Sequence, residues 1–404
     1  MRFLSKSVVL FFCVYMVTPY AKSQECIMDD YFNKTNIFSS YILEQEHNKI
    51  EESNNVASLL PSMSIGLGQY INNNKRLSTF GDSDIYFSLS QDIFSAYKYK
   101  NNKDKLAIQN NLQNLELQRK RYEYLLGFYY SSINYTYQLE QIQLTKKQIQ
   151  KLETDYNISK ELFKMGKAPY LDTEIKGNNL DKMRNTLNEV ELERQYSLMK
   201  IKSDYSVPEE LLHKVTIEDI KACKRSSIIE LVKNIYKKKN ESVDIDNKIS
   251  ESSLLPSLYF SVGLTPKNGG TLSDISLREM DYNASISVNV PLSDFFSSFN
   301  SKKTNAINSM KNNIDNLNDF RELELLRFDI NNKLHIIKNK IPILKNNLYI
   351  KNKELNYISE RVKNKKESVL TYYSLQDDIY EIELNIKRNE NELMYYELYL
   401  DFLG

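Results

Sequence analysis

The chain has 404 residues, with 54 Lys and Arg against 53 Asp and Glu, a formal charge of +1 and a mean hydropathy of −0.53. Such a balance gives no electrostatic reason to expect nucleic acid or an acidic partner, and past the N-terminal segment there is no apolar run long enough for a transmembrane helix. Gly (10) and Pro (8) are scarce, which suits long uninterrupted helices.

At the N-terminus, Arg2 and Lys6 precede an apolar run from Val8 to Val17, and Ala21-Lys22-Ser23 offers a small-x-small cleavage site. The run is too short to span a bilayer and has the layout of a secretory signal peptide over 1–23, so the mature chain is expected to begin near Gln24, outside the cytoplasm. Cys13 lies in that segment, which leaves Cys26 and Cys223. An oxidising compartment permits a bridge between them, but the pair has no metal or redox spacing, and the sequence leaves the pairing open. Cys26 also lacks the small residues that precede a lipidated cysteine.

Next in chain order come a helix over Phe38–Val56, two strands at about 61–71 and 84–93, a very long helix at about 94–165 and a second helix at about 169–204. The same order then repeats. Ser58-Leu59-Leu60-Pro61-Ser62-Met63 recurs as Ser253-Leu254-Leu255-Pro256-Ser257-Leu258, an offset of 195 residues, and an offset of 199 places Phe163 on Val362. A connector at 205–226 therefore joins a first repeat, 24–204, to a second, 227–404. In the second, a helix over Ile228–Ser252 leads to strands at about 257–266 and 282–292, a long helix at about 295–363 and a last helix at about 367–402.

The strands alternate with period two. Met63, Ile65, Leu67 and Ile71 oppose Ser64, Gly66, Gly68 and Tyr70, and Ile85, Phe87, Leu89 and Ile93 oppose Tyr86, Ser88 and Ser90. In the second repeat, Leu258, Phe260, Val262 and Leu264 oppose Tyr259, Ser261, Gly263 and Thr265, while Ala284, Ile286, Val288, Val290 and Leu292 oppose Ser285, Ser287 and Asn289. A soluble hairpin with one buried face alternates in the same way. Here, however, the polar faces carry small residues and almost no charge, which suits a water-filled lumen backed by lipid. Four strands per chain fall short of the roughly eight that close a spanning barrel, so association is implied.

The long helices carry a 4-3 repeat. Ile330, Leu334, Ile337, Ile341, Leu344, Leu348, Leu355, Ile358 and Val362 are broken only by Lys351, and Leu375, Ile379, Ile382, Ile386, Leu393, Tyr396 and Leu400 continue the pattern with Asn389 at one polar step. Ile142, Ile149, Tyr156 and Phe163 are spaced seven apart. This is the pattern of a coiled-coil seam. The 72 residues from Phe94 to Met165 would form a rod of roughly 108 Å. Pro342 is expected to kink the second rod near Ile341.

Together these features resemble the TolC-type outer-membrane factors. Ser90-Gln91-Asp92-Ile93-Phe94 is similar to that family's first exit from the barrel, and Val290-Pro291-Leu292-Ser293-Asp294 to its second. Phe163-Lys164-Met165-Gly166-Lys167-Ala168-Pro169-Tyr170-Leu171-Asp172 is similar to its helical tip turn. The resemblance implies a mostly α fold with a membrane β-barrel portion, in which two tandem repeats of helix–strand–strand–long helix–helix build an oligomeric β-barrel and an α-helical coiled-coil tunnel. It further implies a homotrimer set in outer-membrane lipid of a Gram-negative cell with a periplasmic extension. Its partners would be a periplasmic adaptor and an inner-membrane transporter, and its role that of a passive conduit for efflux or type I secretion. It assigns Phe163, Gly166, Asp172, Val362, Lys365 and Ser368 to the tip where the adaptor docks. Where the family places constricting carboxylates in the second repeat, this chain has Thr371 and Ser374, so the candidates for a constriction are Asp172, Thr371, Ser374, Asp377 and Asp378.

Within the tip, Gly166 is expected to end a helix at positive φ, with Pro169 in the next helix's first turn and Asp172 near that helix's positive end. An enzyme is disfavoured, and no cofactor or metal is expected. His47, His213 and His335 lie in polar helical surroundings without ligand spacing. A soluble periplasmic coiled-coil adaptor is the alternative, and it leaves the uncharged strand faces without a role.

Overall fold

The computed structural model describes residues 26–404 apart from 70–78, 80–82, 93–94, 213, 253, 267–279, 291–293 and 365. The proposed signal peptide, His213, Lys365 and parts of both barrel-exit motifs (93–94 and 291–293) therefore lie outside the described residues. A short helix α1 (Asp29–Phe32) precedes α2 (Asn36–Ala57), strands β1 (Ser62–Gly68) and β2 (Asp84–Asp92), and helices α3 (Ser95–Lys164) and α4 (Tyr170–Tyr205). After α5 (Glu209–Leu212) and α6 (Ile217–Ala222), the order recurs as α7 (Ile228–Ser252), β3 (Ser257–Pro266), β4 (Met280–Asn289), α8 (Asp294–Lys363) and α9 (Val369–Leu403). The two long helices have 70 residues each, about 105 Å at 1.5 Å per residue. Pro342 lies inside α8, and the helix continues past it. β4 starts two residues before the position that alternation indicates and ends three before it.

The 4-3 pattern becomes the α8–α9 seam. Ile330, Leu334, Ile337 and Ile358 are buried on α8, as are Leu375, Ile379, Ile382 and Ile386 on α9. Lys351, the charged step in that seam, reaches Asp378 at 3.3 Å and Glu354 at 3.2 Å, so the ammonium is matched where an apolar knob is missing. On the other side of the molecule, Ile149 and Leu152 of α3 pack on Leu180 and Met183 of α4.

The largest core forms midway along α3, where Tyr122, Leu125, Phe128 and Tyr135 have almost no exposure. Met28 and Phe32 from the N-terminal segment, Val207, Leu212 and Ile220 from the connector, and Leu398 and Phe402 from the end of α9 close around them. Burying each such side chain contributes about 1.5–3 kcal/mol. Cys26 and Cys223 form a disulfide that ties the N-terminal segment to the connector across 197 residues of sequence. The buried Arg121 guanidinium beside it donates to Asp29 at 2.5 Å and to the Cys223 carbonyl at 2.9 Å.

Helices α2 and α7 also meet the long helices through amides. Asn48 donates to Asn110 and Gln113, and Asn55 to the Tyr99 carbonyl. On α7, Asn240 donates to Asn313 and accepts from Asn312, and Asn247 accepts from Asn305.

Candidate functional site

The four strands form one antiparallel sheet in the order β1-β2-β3-β4. The central pairing joins β2 to β3, so residues far apart in sequence share rungs: Met63, Leu89, Val262 and Ala284 align across the sheet, as do Ile65, Phe87 and Leu264. On the opposite face, Ser62, Ser90, Ser261 and Ser285 align in one rung. Their hydroxyls pair at 2.6 Å (Ser62–Ser90) and 2.7 Å (Ser261–Ser285), and Ser64 meets Ser88 at 2.5 Å in the next rung. Gly66 sits under the Tyr86 ring, where a Cβ would clash. The polar face is thus a surface of small hydroxyl residues whose hydrogen bonds run between neighbouring strands.

The apolar face is open to its surroundings: Met63 is 80%, Ile65 73%, Ile286 70% and Val288 65% exposed. β4 is exposed along 281–289 on both faces. Isolated exposed apolar residues are ordinary, but a contiguous apolar face on a charge-rich chain marks contact with lipid or protein. No helix among the described residues is long and apolar enough to cross a membrane.

At the far end of the helices are two turns. The first closes α3 with Gly166 at φ +67°. The Gly166 N–H donates to the Phe163 carbonyl and the Lys167 N–H to the Leu162 carbonyl, each at 2.8 Å. This pair of bonds is a Schellman cap, and its left-handed position favours glycine. Phe163 lies against the Tyr170 ring at 5.5 Å. Pro169 is the N-cap of α4, one position before the helix rather than in its first turn, because its ψ of 147° is still extended. Asp172 stands in the first turn of α4, near the positive end of the helix.

The second turn repeats the wide bond of the first 199 residues on: the Lys366 N–H donates to the Arg361 carbonyl at 2.9 Å. Arg361 holds this turn, reaching the Lys366 carbonyl, Glu367 and the Tyr357 hydroxyl. Ser368 caps α9 by accepting from the Leu370 N–H at 3.1 Å, at the position matching Pro169. Val362 is half-buried in the α8–α9 seam, one residue before the end of α8.

Of the constriction candidates, Thr371 and Ser374 are exposed on α9. Asp377 and Asp378 face different neighbours. Burial pushes the Asp377 carboxyl above the usual range while Lys182 pulls it back, and Asp378 is committed to Lys351. The two carboxylates therefore sit in different environments. Residues that the sequence reading did not single out link the halves. Tyr373 on α9 donates to Asp155 on α3 at 2.9 Å, and Thr145 on α3 meets Tyr380 on α9 at 2.8 Å. Asp155 is nine residues from the end of α3 and Tyr373 four residues into α9, so both turns emerge at the same end. Burial is the main cause that raises the Tyr373 phenol and lowers the Lys176 ammonium beside Asp155.

No protein-family model matches this chain, and no curated protein matches it by sequence. Solved structures do match its shape. The Campylobacter jejuni CmeC outer membrane channel superposes with a TM-score of 0.71 at 13% identity, covering 95% of this chain and 86% of that one. The Vibrio cholerae outer membrane protein VceC gives 0.72 at 8% identity, covering 93% and 95%. The fold is the TolC-type outer-membrane channel fold. The Neisseria gonorrhoeae MtrE outer membrane channel, solved in an open state, shares it at a TM-score of 0.67 and 10% identity over 93% of this chain and 87% of that one. Within the TolC-type fold, sheet and long helices belong to one continuous subunit, and the two turns form the end away from the sheet.

Proposed function

We propose that this chain is a subunit of an outer-membrane channel, a passive conduit that carries cargo across the periplasm and outer membrane in an efflux pump or type I secretion system. The observation that carries the reading is the segregation of the sheet, with an exposed apolar row on one face and hydrogen-bonded serine rungs on the other. Lipid outside and a water-filled lumen inside account for both faces at once. The sheet has edges at β1 and β4, and a strand edge with unpaired N–H and C=O groups in hydrocarbon costs several kcal/mol per group. Association of chains edge to edge removes those costs. The fold supports three copies, giving a twelve-stranded barrel above a helical tunnel, with 24–204 and 227–404 as the two repeats of each subunit. Asp172 and the caps at Gly166 and Ser368 would then stand at the periplasmic mouth, where an adaptor linked to an inner-membrane transporter would dock.

Cell fractionation with detergent-corrected light scattering tests this reading. The protein should sediment with the outer membrane, require detergent and run as a trimer. Recovery in the soluble periplasm, as a coiled-coil adaptor would behave, or a stable monomer in detergent would overturn it.

A further inference from the structure

Where α9 ends and α7 begins, the two helices meet end to end beside α3 and α8: a Cβ on Gly404 would touch Ser227. The junction leaves a cavity of about 410 Å³ between α3, α7, α8 and α9. That volume lies within the range of small-molecule sites, which are mostly apolar pockets with a few convergent polar groups. Its walls are of two kinds. Leu126, Leu323 and Leu326 with the rings of Tyr395 and Tyr399 supply an apolar and aromatic lining, whereas the charged lining sets three carboxylates, Glu123, Asp319 and Glu322, against the single guanidinium of Arg119.

The arginine does not offer an anion site. Its Nε lies 3.5 Å from Glu123 and its Nη1 3.8 Å from Asp319, and Asp319 also accepts from the Tyr236 hydroxyl at 3.0 Å. Glu322 is exposed and carries no ion pair among the described residues, so it is free to meet the charge of a ligand. An aromatic wall favours cations over anions because ring faces are negative. Both parts of the lining select the same chemistry.

The geometry assigns this cavity as a binding site for an amphipathic organic cation, with its apolar body against the leucines and tyrosines and its charge beside Glu322. The site is built inside one chain, so it stands or falls separately from the channel reading. A ligand here would bridge the end of one hairpin, the start of α7 and the middle of both long helices, stiffening the joint between the end of α9 and the start of α7.

Tetraphenylphosphonium and tetraphenylborate have nearly the same shape and opposite charge, so the pair separates charge recognition from apolar uptake. Binding to the purified full-length protein is measured with ion-selective electrodes against protein-free detergent blanks. Saturable tetraphenylphosphonium binding at one site per chain is expected, with at least a tenfold preference over tetraphenylborate, since matched and opposed charge differ by more than about 1.4 kcal/mol. Glu322→Gln, an exposed position whose loss leaves the core intact, should weaken it about fivefold. Leu323→Trp should fill the cavity and abolish binding while circular dichroism stays unchanged. Uptake no greater than the blank, equal uptake of both ions, or an affinity unchanged by Glu322→Gln would each overturn the assignment.

Discussion

Tyr373 donates its phenolic hydrogen to the Asp155 carboxylate across 2.9 Å, and this bond, together with Thr145 and Tyr380, ties α9 to α3 close to the two helical turns. Tyr373 is buried, with its ring among Ile149, Leu152, Leu180 and Met183, so the bond is shielded from competing water. A shielded hydrogen bond to a charged acceptor contributes about 1.5–3 kcal/mol. If the chain is a channel, the contact restrains the spacing of its two hairpins at the mouth. Tyr373→Phe keeps the ring and removes the bond, so single-channel conductance in planar bilayers should rise while the barrel stays intact. Unchanged conductance would show that the contact is only structural.

The two faces of β4 make a paired test. Ile286→Arg places a guanidinium on the apolar face and should cost about 2–4 kcal/mol near a bilayer midplane, cutting the amount of assembled protein in the outer membrane. Ser285→Arg, one residue away, points to the hydroxyl face and should assemble normally. Equal tolerance of the two substitutions would refute the assignment of faces.

The disulfide closes 197 residues of chain. By the chain-entropy account a loop of that size stabilises by up to about 5 kcal/mol, less where the reduced chain keeps structure. Cys223→Ser or full reduction should therefore lower Tm by many degrees and release the N-terminal segment to limited proteolysis near Tyr31. An unchanged melting curve would mean that the Met28 and Phe32 contacts with the Arg121–Asp29 pair suffice alone.

Gly166 isolates a backbone effect. A Cβ there meets nothing within 4 Å, yet φ is +67°. Gly166→Ala should cost about 1 kcal/mol from left-handed strain alone, and Gly166→Asn less, since asparagine tolerates that conformation better. Urea unfolding of the two variants compares them directly, and equal loss would point to a contact made by the turn in the assembly instead.

How much of this was legible depends on whether the physics is local. The seam of α8 could be read because Ile330, Leu334 and Ile337 repeat at the spacing that burial demands, and Gly166 because a helix end needs a left-handed residue. The strand faces could be read from alternation, but the pairing of Phe87 with Leu264 could not, since a strand alternates identically beside any neighbour. Contacts between distant residues were invisible for the same reason. Lys351 stood out as a break, whereas nothing near it pointed to Asp378. Cys26 and Cys223 were a possible pair only because they were the two cysteines left outside the N-terminal segment, and nothing around Tyr373 pointed to Asp155. Burial by amide pairing, as at Asn48 and Asn55, carries no hydrophobic signal in the sequence.

The last prediction concerns the mouth. Thr371 and Ser374 stand six and nine residues past Lys365, and both are exposed on the first turns of α9. Hydroxyls do not concentrate cations, and Lys366 on the adjoining turn opposes them. The nearest carboxylates are occupied elsewhere: Asp378 lies 3.3 Å from the Lys351 ammonium, and Asp377 is half-buried beside α4, with Lys182 nearby. In a proposed trimer each side chain would appear three times around a narrow opening, where charge acts with less screening than at an open surface. The closed pore should therefore be weakly cation-selective or anion-selective, and Thr371→Asp should shift it toward cations. Reversal potentials under a salt gradient measure this directly. Strong cation selectivity that survives Asp377→Asn and Asp378→Asn would place the constriction elsewhere, with Asp172 on the first turn as the group to replace next.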